Sequence, residues 1–189
     1  MKKIIVTEFI SLDGVFQAPG PDGTGYKYEG WTFAFNNDEF LKFKMGELQD
    51  ADVQLLGRVT YDGFAKAWPG RSGDPFSDKF NSMPKYVVSK SLKTAVWHNS
   101  HIISDNVVEE IKKLKASDGT GTILVSGSGE LVRFLLKNDL IDQLNLLLYP
   151  VVLGSGKRLF EDAEKKDLTL VASQAFTTGV MKLIYTPKK

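Results

Sequence analysis

The sequence predicts one α/β domain on a mainly parallel sheet with helices on both faces, and three observations carry that prediction. Short β-branched or apolar runs alternate with helix-length amphipathic segments over the first 137 residues, the order that sets parallel strands between crossover helices. The last third turns to three strand-like runs, 143–149, 168–176 and 180–186, with Thr177-Thr178-Gly179 between the final two. An antiparallel hairpin therefore closes the sheet edge. The chain is 189 residues long, 42% hydrophobic and 25% charged, the size and composition of a single domain, 1–189, with its own core. No repeat, low-complexity tract or linker interrupts it.

Residues 2–10 are a β-branched run flanked by polar side chains, a strand. Residues 11–30 carry Gly14, Gly20, Gly23, Gly25 and Gly30 with Pro19 and Pro21, and a loop of that length inside a compact domain is a place for function. Asn37 caps the next helix, Asp38 and Glu39 sit in its first turn, and Leu41, Met45 and Leu48 form its apolar stripe, widened by Phe40 and Phe43. Residues 53–56 are a buried parallel strand. A second helix from about Thr60 sets Tyr61, Phe64, Ala65 and Trp68 on one face, and Pro69-Gly70 ends it. Residues 71–84 are polar and loop-like, while Tyr86-Val87-Val88 and Ile102-Ile103 are strands. Asp105 or Asn106 caps a third helix, whose Val107, Ile111 and Leu114 are spaced for a core face. Residues 122–125 are a strand feeding the turn Ser126-Gly127-Ser128-Gly129 and an apolar helix over 130–137.

Composition also excludes. With no cysteine there is no disulfide, thiolate zinc site, iron–sulfur cluster or cysteine nucleophile. Twenty-four basic against 23 acidic side chains leave a net charge of +1, no reason to expect nucleic acid or a membrane surface as partner. The apolar start reaches Thr7-Glu8 too soon for a signal peptide, and the longest apolar stretch, around 144–153, falls short of a bilayer. The expected location is the cytoplasm. His98 and His101 lack further ligands and read as surface residues, so no metal site is expected, and Lys188-Lys189 reads as a solvated tail.

In an open α/β sheet, ligands lie beyond the carboxyl ends of the strands. Three of those ends carry residues suited to phosphate: Gly57-Arg58-Val59-Thr60, Ser89-Lys90-Ser91 and Ser126-Gly127-Ser128-Gly129. The first and third open helices, where free N–H groups and the dipole favour an anion and glycine lets it approach. Position 132 is Val rather than the third glycine of the dinucleotide fingerprint, so a Rossmann assignment does not follow. Together the three describe an extended, multi-phosphate ligand such as a dinucleotide.

Ser11-Leu12-Asp13-Gly14, Leu55-Leu56-Gly57-Arg58-Val59-Thr60-Tyr61, Tyr86-Val87-Val88-Ser89, Leu124 to Gly129 and Leu140-Ile141-Asp142-Gln143-Leu144 together resemble dihydrofolate reductase-type proteins. Pro150-Val151-Val152-Leu153-Gly154-Ser155-Gly156-Lys157-Arg158-Leu159-Phe160 narrows the resemblance to the C-terminal reductase domain of bifunctional riboflavin-biosynthesis deaminase-reductases. It spans nearly the whole chain. It implies a dihydrofolate reductase-like three-layer sandwich, a homodimer, and NADPH as cofactor. Gly57, Arg58, Val59 and Thr60 would meet the pyrophosphate and adenosine side, Ser89, Lys90 and Ser91 the 2′-phosphate, and Gly127, Ser128 and Gly129 the pyrophosphate, with Glu130 and Leu131 following. Ser11, Leu12 and Gly14 would begin a mobile loop over the nicotinamide. The absence of cysteine removes the zinc deaminase half, leaving a stand-alone reductase.

The implied activity is reduction of a small heterocyclic or imine-bearing molecule, closest to 5-amino-6-(5-phosphoribosylamino)uracil, with a dihydrofolate or pterin substrate, or a nucleotide-binding module without turnover, as the alternatives. Hydride transfer to a C=N bond also needs a proton for the nitrogen. Asp13 is one candidate acid, or else an Asp-Gly turn; Asp38 is the other, or else a complement to the helix dipole. Trp31 and Gly154 are candidate substrate contacts, with Phe33, Phe35 and Trp68 able to line an aromatic pocket or to join the core.

Overall fold

The computed structural model describes residues 1–21 and 23–188. Within them, eight strands form one sheet in the order β4-β3-β2-β5-β1-β6-β8-β7. The chain runs β1 (Ile4–Ser11), α1 (Asp38–Gln49), β2 (Ala51–Gly57), α2 (Arg58–Ala67), α3 (Pro75–Ser82), β3 (Lys85–Val88) and β4 (Ser100–Ile103). It continues through α4 (Val107–Ala116), β5 (Thr122–Ser126), α5 (Gly129–Lys137), β6 (Gln143–Tyr149), β7 (Leu168–Ala175) and β8 (Met181–Pro187). Strands β1 to β6 pair in parallel, and β8 joins β6 and β7 antiparallel. The predicted architecture, with its closing hairpin, is the one observed.

Strand alternation divides β1 between two cores. Ile4, Val6 and Ile10 join Leu131, Leu135 and Ile111 of α5 and α4. On the other face Ile5 packs against the cluster that holds Leu48, Tyr61 and Leu124, and Phe9 against Phe40 of α1. The apolar 144–149 part of the chain is internal: β6 lies between β1 and β8, and Leu144 and Leu147 are fully buried, whereas Val152 beyond it is exposed.

Three local expectations are corrected. The 71–84 segment is not all loop: the Asp74 carboxylate accepts from Phe76 N and Ser77 N, Pro75 opens α3, and Phe76 and Phe80 pack tilted against Trp68. In α1, Leu41 is 56% exposed and the buried positions are Glu47 and Leu48, because Glu47 turns inward to bond Thr7 and Asn145. Asn106 occupies the cap position of α4 in a left-handed conformation and makes no side-chain cap bond, while Asp105 accepts from Ser104. Asn37 does cap α1, through Phe40 N. Lys189 lies outside the described residues.

Candidate active site at the strand ends

The register of β1 opens a crevice. Strand β5 accompanies β1 only as far as the Thr7–Ser126 pair, whereas β6 follows it to Ser11 and Tyr149. Beyond that point α1 covers one face and α5 the other, the arrangement that leaves a binding gap in such sheets. On the far side of β5, β2 ends at Gly57 and α2 begins. Ser128 joins the two loops: its hydroxyl accepts from Gly57 N at 2.8 Å and donates to Thr60 Oγ1 at 2.8 Å.

Neither Gly57 nor Ser128 caps its helix with a side chain, so first-turn N–H groups of α2 and α5 stay available to an anion. Gly127 has φ +62°, and a Cβ there would lie 3.1 Å from Thr60 Oγ1. A Cβ at Gly57 would lie 3.1 Å from Ser128. Small residues thus let the two strand-end loops touch. Val59 and Glu130 are exposed, while Leu131 is buried in the core and has no side-chain surface for a cofactor. Arg58 pairs with Asp62 of its own helix at 2.8 Å. At the third strand end, the buried Ser89 hydroxyl accepts from Ser91 N and Leu92 N, which leaves Lys90 and Ser91 exposed at the tip.

The 11–18 segment is tethered rather than loose. Leu12 N donates to Val151 O, Val15 bridges Arg158, and Ser11 Oγ donates to Asp13 and accepts from Val15 N. The Asp13 carboxylate accepts from Leu153 N at 3.1 Å and Gly154 N at 2.8 Å. The Ser11 hydrogen bond and then these amides pull its pKa down to about 2. Asp13 is therefore a fixed carboxylate that clips two loops, with Gly14 (φ +84°) and Gly154 (φ +74°) supplying the turns, and not the acid expected. Gly129 also changes meaning: a Cβ there would lie 2.3 Å from Phe16 Cζ, so this glycine accommodates a ring of the protein itself.

Asp38 is exposed at the start of α1. Its neighbour Glu39 accepts from Thr177 N and Oγ1, each at 2.7 Å, which ties α1 to the β7–β8 turn and holds the Glu39 carboxyl below its ordinary pKa. Trp31 donates its indole N–H to Gln17 O and stands edge-on to Tyr149, as does Phe35. Phe33 is exposed, and Trp68 belongs to the separate α2–α3 core. Tyr149 is fully buried, its hydroxyl has no hydrogen-bond partner among the described residues, and burial raises its pKa.

The sequence reading missed Glu8. It is 3% exposed in the middle of β1, and burial, opposed by nearby Lys44 and reinforced by Glu47, raises its pKa to about 8. The signal was present: Glu8 is the only charged residue in the Ile4–Ser11 strand, whose other residues are apolar or carry a hydroxyl. On the opposite face, Thr7 and Asn145 donate to Glu47, and Lys44 donates to Thr7 and Glu47. This network borders an open groove of about 580 Å³ along α1, lined also by Phe43, Phe176 and Lys182.

An α/β sandwich with a strand-end crevice between two uncapped helix starts is the class that fold and site define. A protein from Shewanella sp. PV-4, described as a riboflavin biosynthesis protein, superposes with a TM-score of 0.77 at 20% identity over 99% of both chains. A pyrimidine reductase-like protein from Corynebacterium diphtheriae gives 0.68 at 12% identity, covering 100% of this chain and 92% of that one. The Thermotoga maritima diaminohydroxyphosphoribosylaminopyrimidine deaminase/5-amino-6-(5-phosphoribosylamino)uracil reductase gives 0.64 at 17% identity, and this chain spans 57% of it. In sequence, the chain is 30% identical to the uncharacterized protein YyaP of Bacillus subtilis over 97% of its own length and 94% of the relative's. Residues 2–182 match the RibD C-terminal domain, and the chain belongs to that family.

Proposed function

We propose that this protein is an NADPH-dependent reductase of a small heterocyclic or imine-bearing molecule, with a phosphoribosylaminouracil-type pyrimidine as the nearest substrate class. The observation that carries the reading is the junction of α2 and α5: two helix starts without side-chain caps, held together by Ser128, beside the β1/β5 crevice. Such a junction fits a diphosphate. Gly57, Arg58, Val59 and Thr60 with Gly127 and Ser128 would hold it, and Ser89, Lys90 and Ser91 the 2′-phosphate. When bound, the dihydronicotinamide supplies a hydride. Membership of the RibD C-terminal domain family supports the same reading.

The proposed assembly is a homodimer. β7 is the edge strand of the sheet and exposes Leu170 and Val171, which a second copy would cover.

Titration of NADPH and NADH against the protein tests the reading. Saturable binding with a preference for NADPH, followed by cofactor oxidation with a pyrimidine or pterin substrate, is expected. No binding of either nucleotide removes the reading, and binding without oxidation leaves a nucleotide-binding module.

A further inference from the structure

Reduction of a C=N bond delivers a hydride to carbon and a proton to nitrogen. The carboxylates that sequence singled out do not serve: Asp13 is held ionised by two amides and Ser11, and Asp38 faces solvent. We propose that Glu8 holds the transferable proton beneath the β1/β5 crevice and gives it to the substrate nitrogen. This rests on the reductase reading above.

Position is the first support. Ser126 is the last residue of β5 to pair with β1, at Thr7, so on the β5 side Glu8 is the first β1 residue beside the 127–128 turn, while on its other side it pairs with Leu146 of β6. That turn starts α5, and by alternation Glu8 lies on the α5 face with Val6 and Ile10. Burial is the second. Glu8 is 3% exposed and its Oε1 has no partner among the described residues, a condition that an isolated carboxylate does not sustain in an apolar setting. The side chains filling this face from β5, β6 and α5 are apolar: Val125, Leu146, Leu131 and Val132. The charged groups acting on Glu8 are Lys44 and Glu47 of α1, and they act in opposite senses. Burial therefore dominates, and Glu8 keeps its proton near neutral pH.

In the step, the substrate carbon takes a hydride from the dihydronicotinamide while the Glu8 O–H bond breaks and the new N–H bond forms. The Glu8 carboxylate left behind regains a proton from solvent.

Glu8→Gln tests this, because the amide keeps the size and polarity of the neutral acid but has no proton to give. The expected result is NADPH affinity within about twofold of wild type, turnover of pyrimidine or pterin substrates lowered by about 10²–10⁴-fold, and loss of a protonated-carboxyl infrared band that titrates near pH 8 in the wild type. Unchanged turnover in E8Q with intact NADPH binding overturns the role of Glu8 alone. So does a wild type with no such band. A wild type that binds neither nucleotide, or binds without oxidising NADPH, overturns the reductase reading and the donor role with it, even where the band is present.

Discussion

Ser128 takes the backbone N–H of Gly57 on its hydroxyl at 2.8 Å, a bond between residues 71 positions apart that joins the ends of β5 and β2. The same oxygen donates to Thr60. One side chain therefore fixes the spacing of two helix starts, each of which contributes N–H groups to the gap between them. Ser128 itself sits at φ 70° and ψ 53°, a left-handed conformation uncommon for a residue with a side chain. Its geometry serves the junction rather than a cap on its own helix.

Ser128→Ala is expected to leave Gly57 N without its acceptor and to lower unfolding free energy by about 1–3 kcal/mol, read from denaturant melts. NADPH affinity should fall as well, because the two loops lose their common spacer. Wild-type stability in the variant would show that the hydroxyl bond is dispensable.

Lys90→Ala separates the two nucleotides. The side chain is exposed at the tip of the β3 turn, so folding stability should change by less than about 0.5 kcal/mol. A charge-assisted contact to the 2′-phosphate is worth about 1.5–3 kcal/mol. NADPH binding should therefore weaken by about tenfold or more while NADH binding stays within about twofold. Equal loss for both contradicts a 2′-phosphate contact.

Two carboxyls in one segment give opposite pH signatures. The Asp13 pKa is depressed to about 2 from an ordinary 3.8, so its contribution is present above pH 3.8 and is lost as pH falls toward 2. Asp13→Asn should flatten the acid limb of the stability curve and should cost stability at pH 7, since Leu153 N and Gly154 N lose a charged acceptor. The Glu8 pKa is raised to about 8 from 4.5. The folded state then binds more protons than the unfolded one between those values, and stability falls across that window as pH rises. Glu8→Gln removes that slope, so E8Q gains on the wild type from pH 5 to pH 8. A parallel pair of stability–pH curves for wild type and E8Q would contradict the buried protonated state.

The sheet and most of its helices were legible because β1, β2, β5 and β6 are short runs dominated by apolar and β-branched residues, with helical spacing between them. Helix α3 was not, since its signal rests on Asp74-Pro75 and on Phe76 and Phe80 one turn apart, within a segment whose other residues are polar. At the site, sequence identified the loops that meet but not what each residue does there. Asp13 and Arg58 carry the expected charges, yet each is committed within the protein, one to Gly154 N and the other to Asp62. Those commitments depend on where residues 153–158 and the first turn of α2 come to lie, which spacing along the chain does not encode. Glu8 was overlooked because a single acid in a strand reads as an exposed position until both faces of the sheet are seen to be covered.

Gly129 gives the sharpest contrast between a ligand reading and a packing reading. Its φ is not in the left-handed region, so alanine fits the backbone, and alanine is the better helix former by up to about 1 kcal/mol. If the glycine served only close approach of a phosphate, Gly129→Ala would leave the apoprotein unharmed or steadier and would impair nucleotide binding alone. A Cβ at 129, however, would meet the Phe16 ring at 2.3 Å, and Phe16 is held through its N–H to Lys157 O. The ring must move, and overpacking of this kind costs about 1–3 kcal/mol. G129A should therefore destabilise the apoprotein, and Phe16→Leu placed on top of it should recover part of the loss. A double-mutant cycle on unfolding free energies measures the coupling. Additive effects would show that Phe16 is not what keeps residue 129 a glycine.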